Sequence, residues 1–322
     1  MNTIANWFAN SMSVDARSRT LLAIGSFLIP LLVWSLVSYV PFVWHPKVYV
    51  TDPGDVDYLQ AGMLVDKPMF AEEVANMEQS QLAPPVGHPS NPIYLPAPDE
   101  VAKAFYNGFA NPPTNTDVPS MPASLWHSIQ IIFWGFLISS LIGVPLGILS
   151  GTYNLVGRLN EPFIEFFRYL PAPAFGALAV AILGIYDGPK IAIIVIGTLF
   201  QQVLIIANTT RKLEATIIEA ARTLGTRNLK LLTKVVVPGI LPDLYRDQRI
   251  LLGWAWTYLI VAELIGTSSG ITWFITQQAR YQHFDNVYAA IMTIGIIGFG
   301  TDLVLAWLGR RLFPWDRTQD RS

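Results

Sequence analysis

The chain contains no cysteine, which excludes disulfides, thiolate metal sites and a cysteine nucleophile. Its four histidines, His45, His88, His127 and His283, are scattered, and neither an HExxH pair nor a His/carboxylate cluster occurs, so no metal site is expected. No GxxxxGKS or GxxxxGKT phosphate loop is present, and any nucleotide chemistry must belong to another polypeptide. Nucleophile and base pairs are also missing, so no catalytic residue is assigned. Charge is scarce: only 14% of the 322 residues are Asp, Glu, Lys or Arg, and the formal net charge of −2 makes nucleic acid an unexpected partner.

Apolar surface is what the chain has in excess. It is 52% hydrophobic with a mean hydropathy of +0.40, beyond what the surface of a soluble domain tolerates. This is the composition of an all-α integral membrane protein in contact with lipid. A hydrocarbon core of about 30 Å needs about 20 mostly apolar residues per helix. Six runs qualify, near 21–43, 126–150, 162–184, 189–209, 249–267 and 287–309. Glu165, Arg168, Pro171 and Pro173 interrupt the third, and Gln201 and Gln202 the fourth, as is tolerated where a helix faces protein or a cavity. With a cytoplasmic N-terminus, fifteen of the 21 Lys and Arg residues face inwards, among them Arg211, Arg222, Arg227, Lys230 and Lys234. Lys47, Lys67, Lys103, Lys190 and Arg280 face out and Arg168 lies within a span, as the positive-inside rule asks. The run 21–43 is too long for a signal peptide and lacks its cleavage site, so it reads as an anchor.

These runs divide the chain into an N-terminal segment with the first span (1–43), an extracytoplasmic segment (44–125), a core domain (126–315) and a cytoplasmic tail (316–322). The segment 44–125 holds thirteen of the 23 prolines and is net acidic by seven. It is expected to be mostly irregular, either a solvated loop or a docking surface. Within it LPAPDEVAKAFYNGF has helical spacing, with Pro98 and Asp99 suited to a first turn. In the second span Gly143, Gly147 and Gly151 recur every fourth residue, a small-residue face for close helix packing within one chain or between two. No internal duplication is found, so two halves of a transport path would come from two chains.

Between the fourth and fifth spans, Leu213, Ile217, Ala220, Ala221 and Leu224 form one helical stripe. Gly225 is placed to end that helix in the left-handed C′ position. Asn228 is placed to cap a second helix through Leu229, Leu232, Val235 and Val236, which Pro238 helps to stop. Such a cationic amphipathic hairpin suits either a protein partner or the anionic inner leaflet.

Glu219, Ala220, Ala221, then Gly225, then Val235, Val237 and Pro238 resemble the EAA loop of binding-protein-dependent ABC importers, with valines in place of Ile and Leu. The resemblance runs from about Ile93 to Trp315. YLPAP, SLWHSIQIIFWGF, IGVPLGILSG, EPFIEFFRYLPAPA and VAELIGTSSGITWFI are similar to permeases of the nitrate, sulfonate, taurine and bicarbonate branch. Two features depart from that branch: Gln201 and Gln202 follow Phe200 where a proline is common, and a long insertion precedes YLPAP. The resemblance implies a type I ABC importer permease fold with six transmembrane helices in the bacterial inner membrane. It implies no cofactor in this chain, with ATP and Mg held by a separate pair of ATPase subunits. It also implies a solute-binding protein outside, a second copy of the permease, and coupling to the ATPase through residues 211–247. Glu219 and the apolar stripe would set the hairpin's shape, while Arg222 and Arg227 face the partner.

Ionisable and amide groups at membrane depth are costly and mark candidate paths. Here they are Arg168, Gln201, Gln202 and Glu263, with Glu165 and Asp302 nearer the ends. Arg168 is suited to an anion through its fork of donors, or to pairing with Glu165 at the interface. Gln201 and Gln202 offer neutral hydrogen bonds on the path. Glu263 suits a structural hydrogen bond better than an anion contact. A relay between Asp302 and Glu263 would instead describe a proton-coupled secondary transporter.

Overall fold

The computed structural model describes residues 16–40, 46–90, 94–111, 119–265 and 269–316. The expectations for the tail beyond 316, for His45 and for the Gly266–Thr267–Ser268 part of the VAELIGTSSG motif lie outside the described residues. The chain divides into two units, Met1–Asn107 with Gln278–Ala289, and Gly108–Gln277 with Ala290–Ser322.

In the first unit, α1 (Ala16–Tyr39) is long and apolar enough to cross a membrane. The segment after it is not the irregular excursion expected. Its β1 (Lys47–Asp52) forms the centre of an antiparallel sheet between β2 (Leu64–Asp66) and β3 (Val86–Pro89), with α2 (Lys67–Gln79) following β2. Val50, Val56, Leu59 and Val65 make a small core, joined by Phe70 and Met77. The prolines misled because they punctuate this unit without interrupting the central strand: Pro46 and Pro53 flank β1, and Pro89 ends an edge strand, where no ladder donor is needed. The helix foreseen at LPAPDEVAKAFYNGF is α3 (Pro98–Ala110), with Asp99 and Glu100 in its first turn. Its Val101 and Ala104 pack with Trp34, Tyr288 and Ala289. The Trp34 indole N–H donates to the Pro96 carbonyl at 2.9 Å.

The second unit is built on α4 (Met121–Thr152) and α7 (Asp187–Arg211). A Cβ placed on Gly135 would meet Ile194 at 2.7 Å, on Gly143 the Gln202 amide at 2.8 Å, on Gly147 Ile206 at 2.8 Å, and on Gly151 Thr210 at 2.5 Å. The glycine stripe is therefore a groove within one chain, into which α7 fits. The four contacts advance in the same direction along both helices, so α4 and α7 are parallel. Parallel neighbours require the intervening chain to return. That return is made by α5 (Asn154–Phe167) and α6 (Gly176–Leu183), which meet at an 83° bend spanned by Arg168–Pro171 and a 3-10 turn, Ala172–Phe175. The interruptions seen in the third apolar run are this break.

Beyond α7 come α8 (Ala215–Thr223), α9 (Asn228–Leu231), a π turn (Leu232–Val236) and α10 (Val237–Ile265). Gly197 of α7 meets Tyr258, whereas Thr209 bonds Asp247, so α10 runs antiparallel to α7. After α11 (Ile271–Arg280), α12 (Phe284–Leu312) returns along α10, with Arg249 on Asp302 and the Tyr245 hydroxyl on the Leu305 carbonyl at 2.8 Å. By length and composition four described helices suffice to span a membrane (α1, α4, α7 and α12), and the bent pair makes a fifth. The run 249–267 falls on the second half of α10, whose first half carries Asp243, Arg246, Asp247 and Arg249.

Candidate functional site

The hairpin is built as a corner. Gly225 sits at φ +85°, a conformation that costs an L side chain about 1–2 kcal/mol. Its N–H donates to the Arg222 carbonyl at 3.0 Å, and the Thr226 N–H reaches back to the Ala221 carbonyl at 3.0 Å. This pair of bonds is the Schellman closure that satisfies the last carbonyls of α8. The second helix departs from expectation. Asn228 is itself at φ +51° and is the first residue of α9, while Arg227 occupies the cap position without a side-chain bond. Nor does Pro238 stop the helix: the π turn ahead of it widens the backbone, and α10 runs on from Val237. A five-residue spacing moves hydrogen-bonding demand off the donor that proline lacks.

The apolar stripe also divides. Leu213 and Ala221, joined by Ile218 from outside the expected stripe, pack against Ile206, Leu231 and Val236. Ile217, Ala220 and Leu224 lie on the exposed side, with Leu224 86% and Leu229 69% accessible. Glu219 is exposed and makes no hydrogen bond or ion pair among the described residues, so it does not set the hairpin's shape from within. Arg222 and Arg227 are both exposed, as expected, and Arg222 also lines a cavity of about 220 Å³ together with Arg211, Leu213 and Ile218. Arg211 is held by Glu161 and by the Ser150 carbonyl at 3.3 Å.

The two neighbouring glutamines do different work. Gln202 is 0% exposed. Its carbonyl accepts from Ser139 Oγ at 2.8 Å, and its amide donates to Ser140 Oγ at 2.9 Å and to Gln248 Oε1 at 2.7 Å. It ties α4, α7 and α10 together and has no access to a path. Gln201 is half-buried and borders a cavity of about 110 Å³ with Arg168, Phe200, Trp254 and Tyr258. Arg168 follows α5 at the bend, donates to the Tyr169 hydroxyl at 2.8 Å and lies over its ring at 4.6 Å. Pairing with Glu165 is not found.

Glu263 is 3% exposed and holds structure, as expected. It accepts from Ser128 Oγ and, at 2.8 Å, from the Thr272 N–H, while Ser128 Oγ accepts from the Ile271 N–H at 2.8 Å. Gly270, at φ +101°, leaves room for this carboxylate, since a Cβ there would lie 2.1 Å from it. Near it the Lys190 side chain is 0% exposed; it donates to Ser269 and to Asp187, which also meets His127 Nε2 at 3.0 Å. This cluster was missed because its members are dispersed in sequence; the one local signal was the i,i+3 pairing of Asp187 with Lys190. Asp302 is held by Arg249 through two bonds of 2.9 Å. Arg249 and Glu263 are fourteen residues apart on α10, about 21 Å along a helix, so the acids form no relay. Burial raises the Asp247 carboxyl above its usual range, with the Thr209 hydroxyl bond acting against that shift.

Comparison with known proteins places these features in a family. Residues 143–314 match the model for the binding-protein-dependent transport system inner membrane component. A probable ABC transporter permease protein of Brucella melitensis is 30% identical over 69% of this chain and 88% of its own length. The taurine transport system permease protein of Escherichia coli is 31% identical over 70% of this chain and 81% of its own. Among solved structures, an inward-facing form of the MetNI methionine ABC transporter has a chain that superposes with a TM-score of 0.51. That match is 19% identical and covers 58% of this chain and 91% of that one, a likeness of fold.

Proposed function

This chain belongs to the family of binding-protein-dependent transport system inner membrane components, the permease subunits of ABC importers, and from that membership we propose that it carries a small anion inward as one half of a homodimer. As a permease it works with a separate ATPase, which hydrolyses the ATP, and with a binding protein. We place the ATP and its Mg in that partner, the N-terminus and the hairpin on the cytoplasmic side, and six helices across the membrane. The cargo class, an anion such as nitrate, bicarbonate, taurine or a sulfonate, rests on the branch the sequence resembles and on the taurine permease among its relatives.

One observation carries the coupling role. The hairpin buries Leu213, Ile218 and Ala221 against its own bundle, yet leaves Ile217, Leu224 and Leu229 exposed beside Glu219 and Arg227. A braced segment with an unpartnered apolar ridge is a seat for another protein. In our reading Glu219, Ala220, Arg222, Leu224 and Arg227 meet the ATPase, and the Gly225 corner and the turn before Pro238 hold them at a fixed angle. A rigid-body displacement of the ATPase pair is then transmitted to α7 and α10. The test is co-purification of the ATPase with Leu224→Glu permease. Loss of the ATPase at unchanged permease yield is expected; full retention would contradict the seat.

A further inference from the structure

The bend between α5 and α6 is the place where this bundle interrupts its backbone beside a polar cavity. Irregular backbone at membrane depth persists only where protein or a cavity accommodates it. The cavity, about 110 Å³, is lined by Arg168 and Gln201 among aromatic side chains, Phe167, Phe200, Trp254 and Tyr258, and by no acidic residue. Two groups there have unused capacity. Gln201, half-buried at the cavity wall, makes no hydrogen bond among the described residues, so its amide is free to donate into the cavity. Its neighbour Gln202, by contrast, makes three such bonds. Arg168 has no ion-pair partner among the described residues and gives one bond to Tyr169, whereas a guanidinium carries five donors in a fork matched to two oxygens of one anion.

The walls set size and sign. A volume of about 110 Å³ holds roughly four water-sized groups at ~30 Å³ each, the scale of a carboxylate, carbonate-like or sulfonate head. A lone cation with no carboxylate lining the cavity excludes a cationic cargo. Gly197 keeps the cavity narrow: a Cβ there would lie 2.8 Å from the Tyr258 ring, so the ring rests directly on α7.

We propose that this cavity is a recognition position on the transport path, where Arg168 grips two oxygens of the cargo's anionic head and the Gln201 amide donates to a third. The proposal rests on the reading of the chain as a small-anion permease, and its test separates the two. The permease assembled with its ATPase and binding protein in vesicles is given labelled taurine, an alkanesulfonate, bicarbonate and nitrate, and uptake and ATP hydrolysis are both followed. For the anion that wild type carries, Arg168→Gln is expected to lower uptake at least tenfold while binding-protein-stimulated hydrolysis continues, and Arg168→Lys to keep an intermediate rate. Uptake by Arg168→Gln within twofold of wild type would overturn the site and leave the cargo class standing. Wild type carrying none of the four would overturn the cargo class and the site with it. Should Arg168→Gln disturb assembly, Gln201→Leu decides, because it removes no bond within the chain: at least a threefold loss of uptake at intact hydrolysis supports the site, and unchanged uptake overturns it.

Discussion

Replacing Gln202 with leucine removes a buried side chain that bonds three helices together, without changing its volume much. The amide is 0% exposed and makes three hydrogen bonds, to Ser139, Ser140 and Gln248. Leucine would leave the buried Ser139 hydroxyl without its acceptor, and its methyl groups would lie against Gly143, where Oε1 now sits 2.8 Å from the position a Cβ would take. In a soluble core each unmade bond would cost about 1–3 kcal/mol. Within a bilayer the unfolded helices find other partners, and measured values average about 0.6 kcal/mol per bond. Three such bonds therefore give a loss of about 2 kcal/mol, a factor of roughly 30 in the folded-to-unfolded ratio. Reversible unfolding of the detergent-solubilised permease, followed by helix content, reads this directly. Ser139→Ala should cost about 0.6 kcal/mol alone and less in the presence of Gln202→Leu, because the bond is already gone. Stability of Gln202→Leu within about 0.5 kcal/mol of wild type would refute the tie. So would an altered KM for cargo at full stability, since that would return Gln202 to the path.

Gly225→Val meets open space, so its cost is conformational, about 1–2 kcal/mol or more for a β-branched residue at φ +85°; it should abolish solute-stimulated ATP hydrolysis while the permease remains inserted, and unchanged coupling in vesicles would count against the corner. Gly147→Leu forces a side chain into Ile206 and the Val203 carbonyl, which a Cβ would approach to 2.8 and 2.9 Å; separating α4 from α7 should cost about 1–3 kcal/mol, visible as a lowered unfolding midpoint. Asp247 gives a pH signature. Its folded pKa is raised above 3.8 by burial, so the folded state binds more protons than the unfolded one between that value and the raised one. Stability accordingly falls as pH rises through this window. Asp247→Asn removes the fall, and its stability relative to wild type should increase between pH 4 and pH 8; an equal difference at both would contradict the burial effect.

The sequence made legible whatever is periodic or local. Apolar runs located the helices, and Pro98 with Asp99 marked the start of α3. Gly225 revealed the corner because only a left-handed position explains a glycine after that stripe. The spacing of Gly143, Gly147 and Gly151 foretold a close approach, though not that α7 makes it. What stayed hidden depends on contacts distant in sequence. Nothing local distinguishes Gln201 from Gln202: the two point to different neighbours because successive side chains on a helix diverge by about 100°, and which one meets Ser139 depends on the register of α4. Likewise nothing local shows that Lys190 is buried against Ser269 and Asp187. Proline density in 44–125 was read as irregularity because composition does not reveal that Val50 and Val65 face a core of their own.

The central claim is that the hairpin of α8 and α9 joins this permease to a separate ATP-hydrolysing subunit. A crosslink between a cysteine at Leu224, in a chain that otherwise has none, and the co-expressed ATPase tests it most directly, with transport measured before and after reduction. The account predicts a specific crosslink that stops ATP-driven uptake, with uptake restored by reductant. An ATPase that assembles with the permease yet never crosslinks at this position, or a crosslinked complex that transports at the full rate, would contradict it.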